Sequence, residues 1–350
     1  PTMRRRLSML FSAALLSFTA LLACSDKDDG HDLGVDAGQE VDALAADGRA
    51  DIAKPPLPLS PDLCNDPNNM AVLLPHLASG VSSPSYGTVN VEQFQRLAEA
   101  PTKGPFYMVN LIRYRDKAKY ADGRPTALTG REANALYSPT EFLSAIGARI
   151  VFSGSVERTT LGQDGTWHDV AIVEYPCPLA FLAMSAHPDF QARSVHKDAG
   201  LEASVVMVTH LQPLGDSQPT ATPFPSTPSD PTFEQVQVYR FRAEAQYQAG
   251  TTEPTRSGEE AMDLYAAGAR AAKRRLGISV EARLKVEGVL IGDGRSWHEV
   301  WIDRLPSRAA FDALVVDAAF VQAERHRRAA VEEAYELAIS PMVSIFPEVP

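Results

Sequence analysis

Gly162-Gln163-Asp164-Gly165-Thr166-Trp167-His168-Asp169-Val170 returns 130 positions later as Gly292-Asp293-Gly294-Arg295-Ser296-Trp297-His298-Glu299-Val300. Both copies keep the Trp-His pair, and a second histidine trails each tryptophan by 29 residues, His196 in one and His326 in the other. Aligned without a gap, 162–202 and 292–332 share 13 identities over 41 positions, among them Pro176/Pro306, Phe181/Phe311, Phe190/Phe320 and Glu202/Glu332. Residue frequencies near about 7% leave roughly two or three by chance. The chain therefore holds two copies of one fold.

Outward from that stretch the same order of elements appears twice. Phe106 to Tyr114 is strand-like by its β-branched and aromatic content, and 236–241 matches it, so Asn110 meets Gln237 and Arg113 meets Arg240. A helix is expected over 130–146, matched by 258–276, with Gly130/Gly258, Glu132/Glu260, Ala133/Ala261 and Tyr137/Tyr265 in correspondence. Two strands follow, 149–157 and 167–175, joined through Asp164-Gly165, a hairpin signal. Their counterparts are 282–290 and 297–305. A helix over 178–198, broken near His187-Pro188, and a last strand over 204–211 complete the first copy; 307–334 and 337–346 complete the second. Each copy is βαββαβ, the ferredoxin-like order. The strands are apolar on both faces, Val109 and Leu111 alternating with Ile112 and Tyr114. One face takes the helices and the other needs a cover, which the second copy supplies. The expected fold is α+β: two tandem ferredoxin-like repeats packed sheet to sheet as an intramolecular dimeric α/β barrel.

The Val109-Asn110-Leu111 core of the first strand, the Gly-x-x-x-x-Trp-His-Asp-Val hairpin and the segment from Phe181 through His187-Pro188-Asp189-Phe190-Gln191 to His196 resemble the domain-of-unknown-function 1330 family. The resemblance covers roughly 104–212 well and 233–346 more loosely. The second copy lacks His187-Pro188 and carries Gln237 for Asn110. The resemblance implies a dimeric α/β-barrel fold and no known reaction.

The N-terminus carries an address. Arg4-Arg5-Arg6 precedes a short apolar run ending in Leu21-Leu22-Ala23-Cys24, the pattern of a secretory signal. That ending resembles the lipobox of bacterial lipoproteins, in which the cysteine is acylated. Residues 1–24 thus read as a lipoprotein signal peptide, and the protein as exported to the cell envelope and lipid-anchored at Cys24. Residues 25–54 hold nine acids, three bases and no aromatic, a disordered acidic tether that the proline-rich stretch to residue 61 extends. A 62–103 extension, the 104–212 repeat, a proline-rich linker over 213–232 and the 233–346 repeat follow. The net charge of −11 argues against nucleic acid as a partner. Membrane contact is expected through the lipid alone. Cys64 and Cys177 are left to pair, or to stay as two thiols, in an oxidising compartment.

The polar residues shared by both copies outline a candidate site. His168 and His298 alternate with Val170/Ile172 and Val300/Ile302, as structural histidines or as proton-exchanging groups. His196 and His326 sit late in a helix, either at its surface or facing a pocket. Arg113 and Arg240, half-buried on a strand, need a carboxylate from the protein or from a ligand. Tyr120 and Tyr247 anchor a loop or line a pocket mouth. One pocket between sheet and helix is expected to gather His196, Arg113 and Asn110, with His168, Tyr120, His298, His326 and Arg240 as further candidates. No phosphate loop, metal-ligand spacing or nucleophile elbow is present. No metal or nucleotide cofactor is expected, and haem, which needs one axial histidine, is the cofactor left open. Three functions follow: a lipid-anchored envelope protein that binds a small apolar or acidic ligand, a cofactor-independent acid–base enzyme, or a structural lipoprotein.

Overall fold

The computed structural model describes residues 57–80, 83–162 and 167–347. The signal-like segment with Cys24, the tether up to residue 56 and the Asp164-Gly165 turn lie outside the described residues. A 3-10 turn at Pro61–Asn65 leads into α1 (Asn69–Gly80), β1 (Thr88–Val89) and α2 (Val91–Glu99). The first repeat runs β2 (Phe106–Tyr114), α3 (Gly130–Tyr137), α4 (Thr140–Ala145), β3 (Arg149–Leu161), β4 (Asp169–Tyr175), α5 (Pro178–Ala186), α6 (Pro188–Gly200) and β5 (Leu201–Leu211). The second runs β6 (Phe233–Phe241), α7 (Gly258–Arg275), β7 (Ser279–Gly292), β8 (Glu299–Leu305), α8 (Arg308–Val315), α9 (Ala318–Ala330) and β9 (Val331–Ser344).

Each repeat forms an antiparallel sheet, in the order β5-β2-β4-β3 and β9-β6-β8-β7. The two sheets also join at their edges, β3 to β9 and β5 to β7, so eight strands close into one ring. Closure satisfies every edge strand and encloses a shared core. Val109, Leu111 and Ile172 of one repeat meet Val236, Val238 and Leu337 of the other there, all with no exposed surface. Such an interior is filled by side chains, so room for a ligand must lie outside the ring, under the helices. The fold is the expected α+β intramolecular dimeric α/β barrel.

Several boundaries differ from expectation: β3 runs on to Leu161, β4 starts at Asp169, β5 starts at Leu201 and β7 spans Ser279–Gly292, and three more have a clear local reason. The 130–146 helix is two helices: Ser138 takes a left-handed φ of 31° before Pro139, which disfavours helix at the residue preceding it. The second copy has Ala266-Ala267 there and continues as an 18-residue helix. The last helix ends at Ala330 rather than 334, and β9 starts six residues before the expected 337. The carbonyls of Gly200 and Ala330 accept the N–H groups of Arg115 and Arg242 at 2.9 and 2.8 Å, which turns the chain into strand at once. The paired glycines have a matching cause: a Cβ on Gly130 would sit 2.3 Å from the Gly200 carbonyl oxygen, and one on Gly258 2.4 Å from that of Arg242. Glu132 and Glu260 recur because each closes a capping box, with Thr129 and Ser257.

The extension packs on the first repeat and also bonds to β7 of the second. Cys64 and Cys177 form a disulfide, and Met70, Leu73 and Leu77 of α1 pack with Leu179, Leu182 and Met184 of α5. β1 pairs with the end of β7, Thr88 opposite Gly292.

Candidate functional site

The histidines that both copies share are held in matching ways. His168 precedes β4 and accepts the backbone N–H of Tyr114 at its Nδ1, 3.0 Å away; His298 accepts that of Phe241 at 2.9 Å. Each imidazole stacks on the ring of that same residue. His168 was expected on the face of Val170 and Ile172. The structure instead gives the inner position to Trp167, and His168 lies against Tyr114. A register in which Trp167 fills the barrel buries far more apolar surface than one that buries an imidazole.

His196 and His326 each hydrogen-bond a tyrosine hydroxyl through Nδ1 at 2.7 Å, Tyr120 and Tyr247 respectively, in edge-to-face contact. Burial lowers the pKa of both, so the neutral imidazole that accepts from a phenol is the favoured form. Tyr120 is buried, which makes it a loop anchor. Arg113 pairs with Glu202 at 3.2 Å, and Arg240 with Glu332 at 3.0 Å and Glu333 at 3.6 Å. These six polar groups thus tie the loop after the first strand, the helix end and the hairpin together. The histidines meet their hydrogen-bonding demand in this way, while the Nε atoms of Arg113 and Arg240 keep no hydrogen-bond partner among the described residues.

The cavity lies elsewhere. On the outer face of the first sheet, beneath α3, α4, α5 and α6 and walled by the extension, is a space of about 720 Å³. Its floor is Met108, Asn110, Ile112, Ala171, Val173 and Val206. Of the expected trio it takes in Asn110; His196 and Arg113 do not line it, because α6 turns its 196 position toward the loop and Arg113 faces Glu202.

Position 197 faces the cavity instead. The Lys197 ammonium sits 5.5 Å from the ring centre of Tyr86 and 5.4 Å from that of Tyr137. Among the described residues it has no ion-pair partner, and desolvation alone lowers its pKa to about 8. Asp169 is on the wall as well, but its carboxylate is spent on Arg131 (2.7 and 3.0 Å), the Tyr114 hydroxyl (2.7 Å) and Ser155 (2.8 Å). Burial raises the pKa of the Tyr86, Tyr137 and Tyr175 phenols, which keeps them neutral donors.

The second repeat sets different side chains at the matching floor positions, and a space of about 60 Å³ remains beside Trp301. Asn110 lies between Ala171 and Val206 in the strand register; Gln237 lies between Trp301 and Glu336. Trp301 fills the space that Ala171 leaves, stacked on Tyr265 and bonded through its indole N–H to Glu299 at 2.6 Å. Arg327, the equivalent of Lys197, pairs with Glu324 and Glu336, whose equivalents are Ser194 and Val206. Lys273 binds Asp303 at 2.6 Å, and Gln237 donates to the same carboxylate at 2.9 Å.

Sequence reasoning therefore weighed the residues the copies share, whereas the cavity is made by those that differ. Ala171/Trp301 and Ser194/Glu324 are mismatches within the aligned stretch, and Val206/Glu336 lies just beyond its end. The walls from Tyr86 and the extension carried no signal of their own. For haem, the described residues offer the cavity one imidazole, His76, on the exposed side of α1.

No family model matches the sequence, and no curated protein is similar to it. Among solved structures, the methylated RPA0582 protein is 33% identical over 35% of this chain and 93% of its own, with a TM-score of 0.32. A second structure of that protein, described as of unknown function from Rhodopseudomonas palustris, is 29% identical over 35% and 95%, also at 0.32. An anthrone oxidase-like protein matches 71% of this chain and 96% of its own at 13% identity and a TM-score of 0.40. Chlorite dismutase from Candidatus Nitrospira defluvii matches 67% and 91% at 12% identity and 0.38. By its own architecture this chain is a dimeric α/β barrel, built from two tandem repeats inside one polypeptide.

Proposed function

We propose that this protein binds one small, largely apolar ligand in the cavity of its first repeat, and that it does so from a lipid anchor in the cell envelope. The observation that carries the binding reading is the asymmetry of two matched floors. An apolar space of about 720 Å³ stands open over Asn110, while Trp301 and a set of ion pairs occupy its counterpart. Cavities of roughly 300–1,000 Å³ with a few convergent polar groups are the usual form of a small-molecule site. The anchor reading rests on the Cys24 motif and is supported by the Cys64–Cys177 disulfide, which suits an oxidising compartment.

The binding test is a titration of the purified protein with the neutral apolar fluorophore N-phenylnaphthylamine, in the parent chain and in Ala171→Trp. The expected outcome is one equivalent per chain, with affinity reduced about 100-fold by the tryptophan, on the scale of about 1.4 kcal/mol per tenfold. No uptake, or uptake indifferent to that substitution, refutes the reading. For the anchor, mass spectrometry of the mature N-terminus is expected to find an acylated Cys24, and Cys24→Ser to release the protein from membranes.

A second reading, a cofactor-independent acid–base enzyme, is favoured by one observation. An amine whose pKa desolvation lowers to about 8 lines the same cavity as Asn110, a setting in which a lysine exchanges protons near neutral pH. On this reading proton transfer belongs to Lys197, since His168 and His196 are engaged elsewhere. Recovery of a bound ligand chemically unchanged after prolonged incubation counts against it. Visible absorption of the protein as purified reads whether a haem accompanies it.

A further inference from the structure

Among the described residues Lys273 is buried and Lys197 half-buried, and the two differ in one respect. Lys273 has Asp303 at 2.6 Å; Lys197 has aromatic rings and open space. The second repeat shows what a cation at the 197 position requires when the cavity is closed, because Arg327 there is held by Glu324 and Glu336. The first repeat keeps the cation, replaces both carboxylates with Ser194 and Val206, and leaves a volume beside it. A charge drawn away from water is tolerated when it is paired, and the described residues do not supply the pair for Lys197.

We infer that the missing partner is the ligand's own carboxylate, so that the cavity takes an apolar monocarboxylic acid with its head against Lys197 and its body over Met108, Ala171 and Val173. This rests on the binding reading and narrows it. The surroundings favour an anion of that size. The hydroxyls of Tyr86, Tyr137 and Tyr175 have no hydrogen-bond partner among the described residues and stand ready to donate. The competing acids are occupied: Asp169 by Arg131, Tyr114 and Ser155, and Asp198 by the backbone N–H of Ser85 at 2.5 Å. The remaining titratable group on the wall is His76, on the exposed side of α1. A single ammonium suits one carboxylate better than a dianion, and the apolar floor suits a hydrocarbon or aryl body.

The test compares acids with neutral alcohols of the same body, decanoate against decanol and naphthoate against naphthalenemethanol, by calorimetric titration of the intact protein. At about pH 7 the acids are expected to bind at least tenfold more tightly than the alcohols, the range of a charge-assisted hydrogen bond. Lys197→Met is expected to abolish that preference and leave the alcohols unchanged, while Lys197→Arg retains it. Raising the pH toward about 10, past the point where the ammonium loses its proton, is expected to weaken the acids alone. Equal binding of acid and alcohol, or a preference that survives Lys197→Met, overturns the carboxylate assignment while the binding reading stands. If neither acid nor alcohol binds, both fall together.

Discussion

The two outer faces of this barrel begin from the same backbone and end in opposite states. Over the second sheet, Trp301, Gln237, Asp303, Lys273, Arg327 and Glu336 interlock beneath an unbroken α7. Over the first, Ala171 and Val206 replace the bulky and charged members, and Ser138-Pro139 breaks the covering helix into α3 and α4. The extension then closes the first face from outside, held by the Cys64–Cys177 disulfide. Duplication thus supplied a barrel with two possible sites, of which one became structural filling and the other stayed open. Ion pairs in the filled face specify its packing but each depends on its partner, whereas the open face carries an ammonium awaiting one.

Breaking the filled face is expected to have the largest effect. Arg327→Met strands Glu336 without its cation and leaves Glu324 with Arg328 alone, and chemical denaturation is expected to show a loss of about 3–5 kcal/mol. A loss below about 1 kcal/mol would mean that the face is not held by this pairing. Next comes the wall of the open face: Cys64→Ser with Cys177→Ser frees a loop of 113 residues and is expected to cost about 2–4 kcal/mol, with fluorophore binding weakened as α1 loosens. Stability lost without any change in binding would separate the extension from the cavity.

A third comparison sets Glu234 against its first-repeat equivalent Tyr107. Glu234 is buried, and desolvation raises its pKa to about 7. A carboxyl whose folded pKa exceeds its unfolded one contributes stability that is complete below about pH 4.5 and is lost as the pH rises through about 7. Denaturation midpoints measured from about pH 5 to 8 are expected to fall by the equivalent of roughly 2–3 kcal/mol, and Glu234→Gln to remove that slope. A slope that persists in the variant would assign it to another group. The smallest effect is a gain. Lys197 titrates below its unfolded value, so its charged form costs stability below about pH 8, and that cost fades as the pH rises toward about 10.5. Lys197→Met is expected to stabilise the unliganded protein by about 1–2 kcal/mol at pH 7, and a destabilised variant would mean that the ammonium already has a partner.

Much of the fold was legible. The recurrence of Trp167-His168 as Trp297-His298 announced two copies, and alternation along Phe106–Tyr114 announced strands covered on both faces. Thr129/Glu132 and Ser257/Glu260 mark helix starts by local chemistry, which a sequence displays directly. The site was less legible. His196 pairs with Tyr120 across 76 residues, and nothing in either local pattern joins them. His168 was placed by strand alternation on the wrong face, since Trp167 claims the interior. Lys197 carries no signal in the sequence, because helical spacing says which residues share a face, and not what that face meets.

By itself the sequence determined that there are two βαββαβ units and that their strands need cover on both faces. These follow from periodicity, steric rules and local hydrogen bonding, all of which act over a few residues. The tertiary structure alone decided that the sheets close edge to edge, that the shared histidines and arginines brace loops, and that Lys197, Tyr86 and Ala171 bound one cavity. Those outcomes depend on volumes and charges brought together from distant segments. Exchanging Ala171 for Trp301 and Val206 for Glu336 alters no local propensity that would reveal them, yet it changes an open space into a filled one.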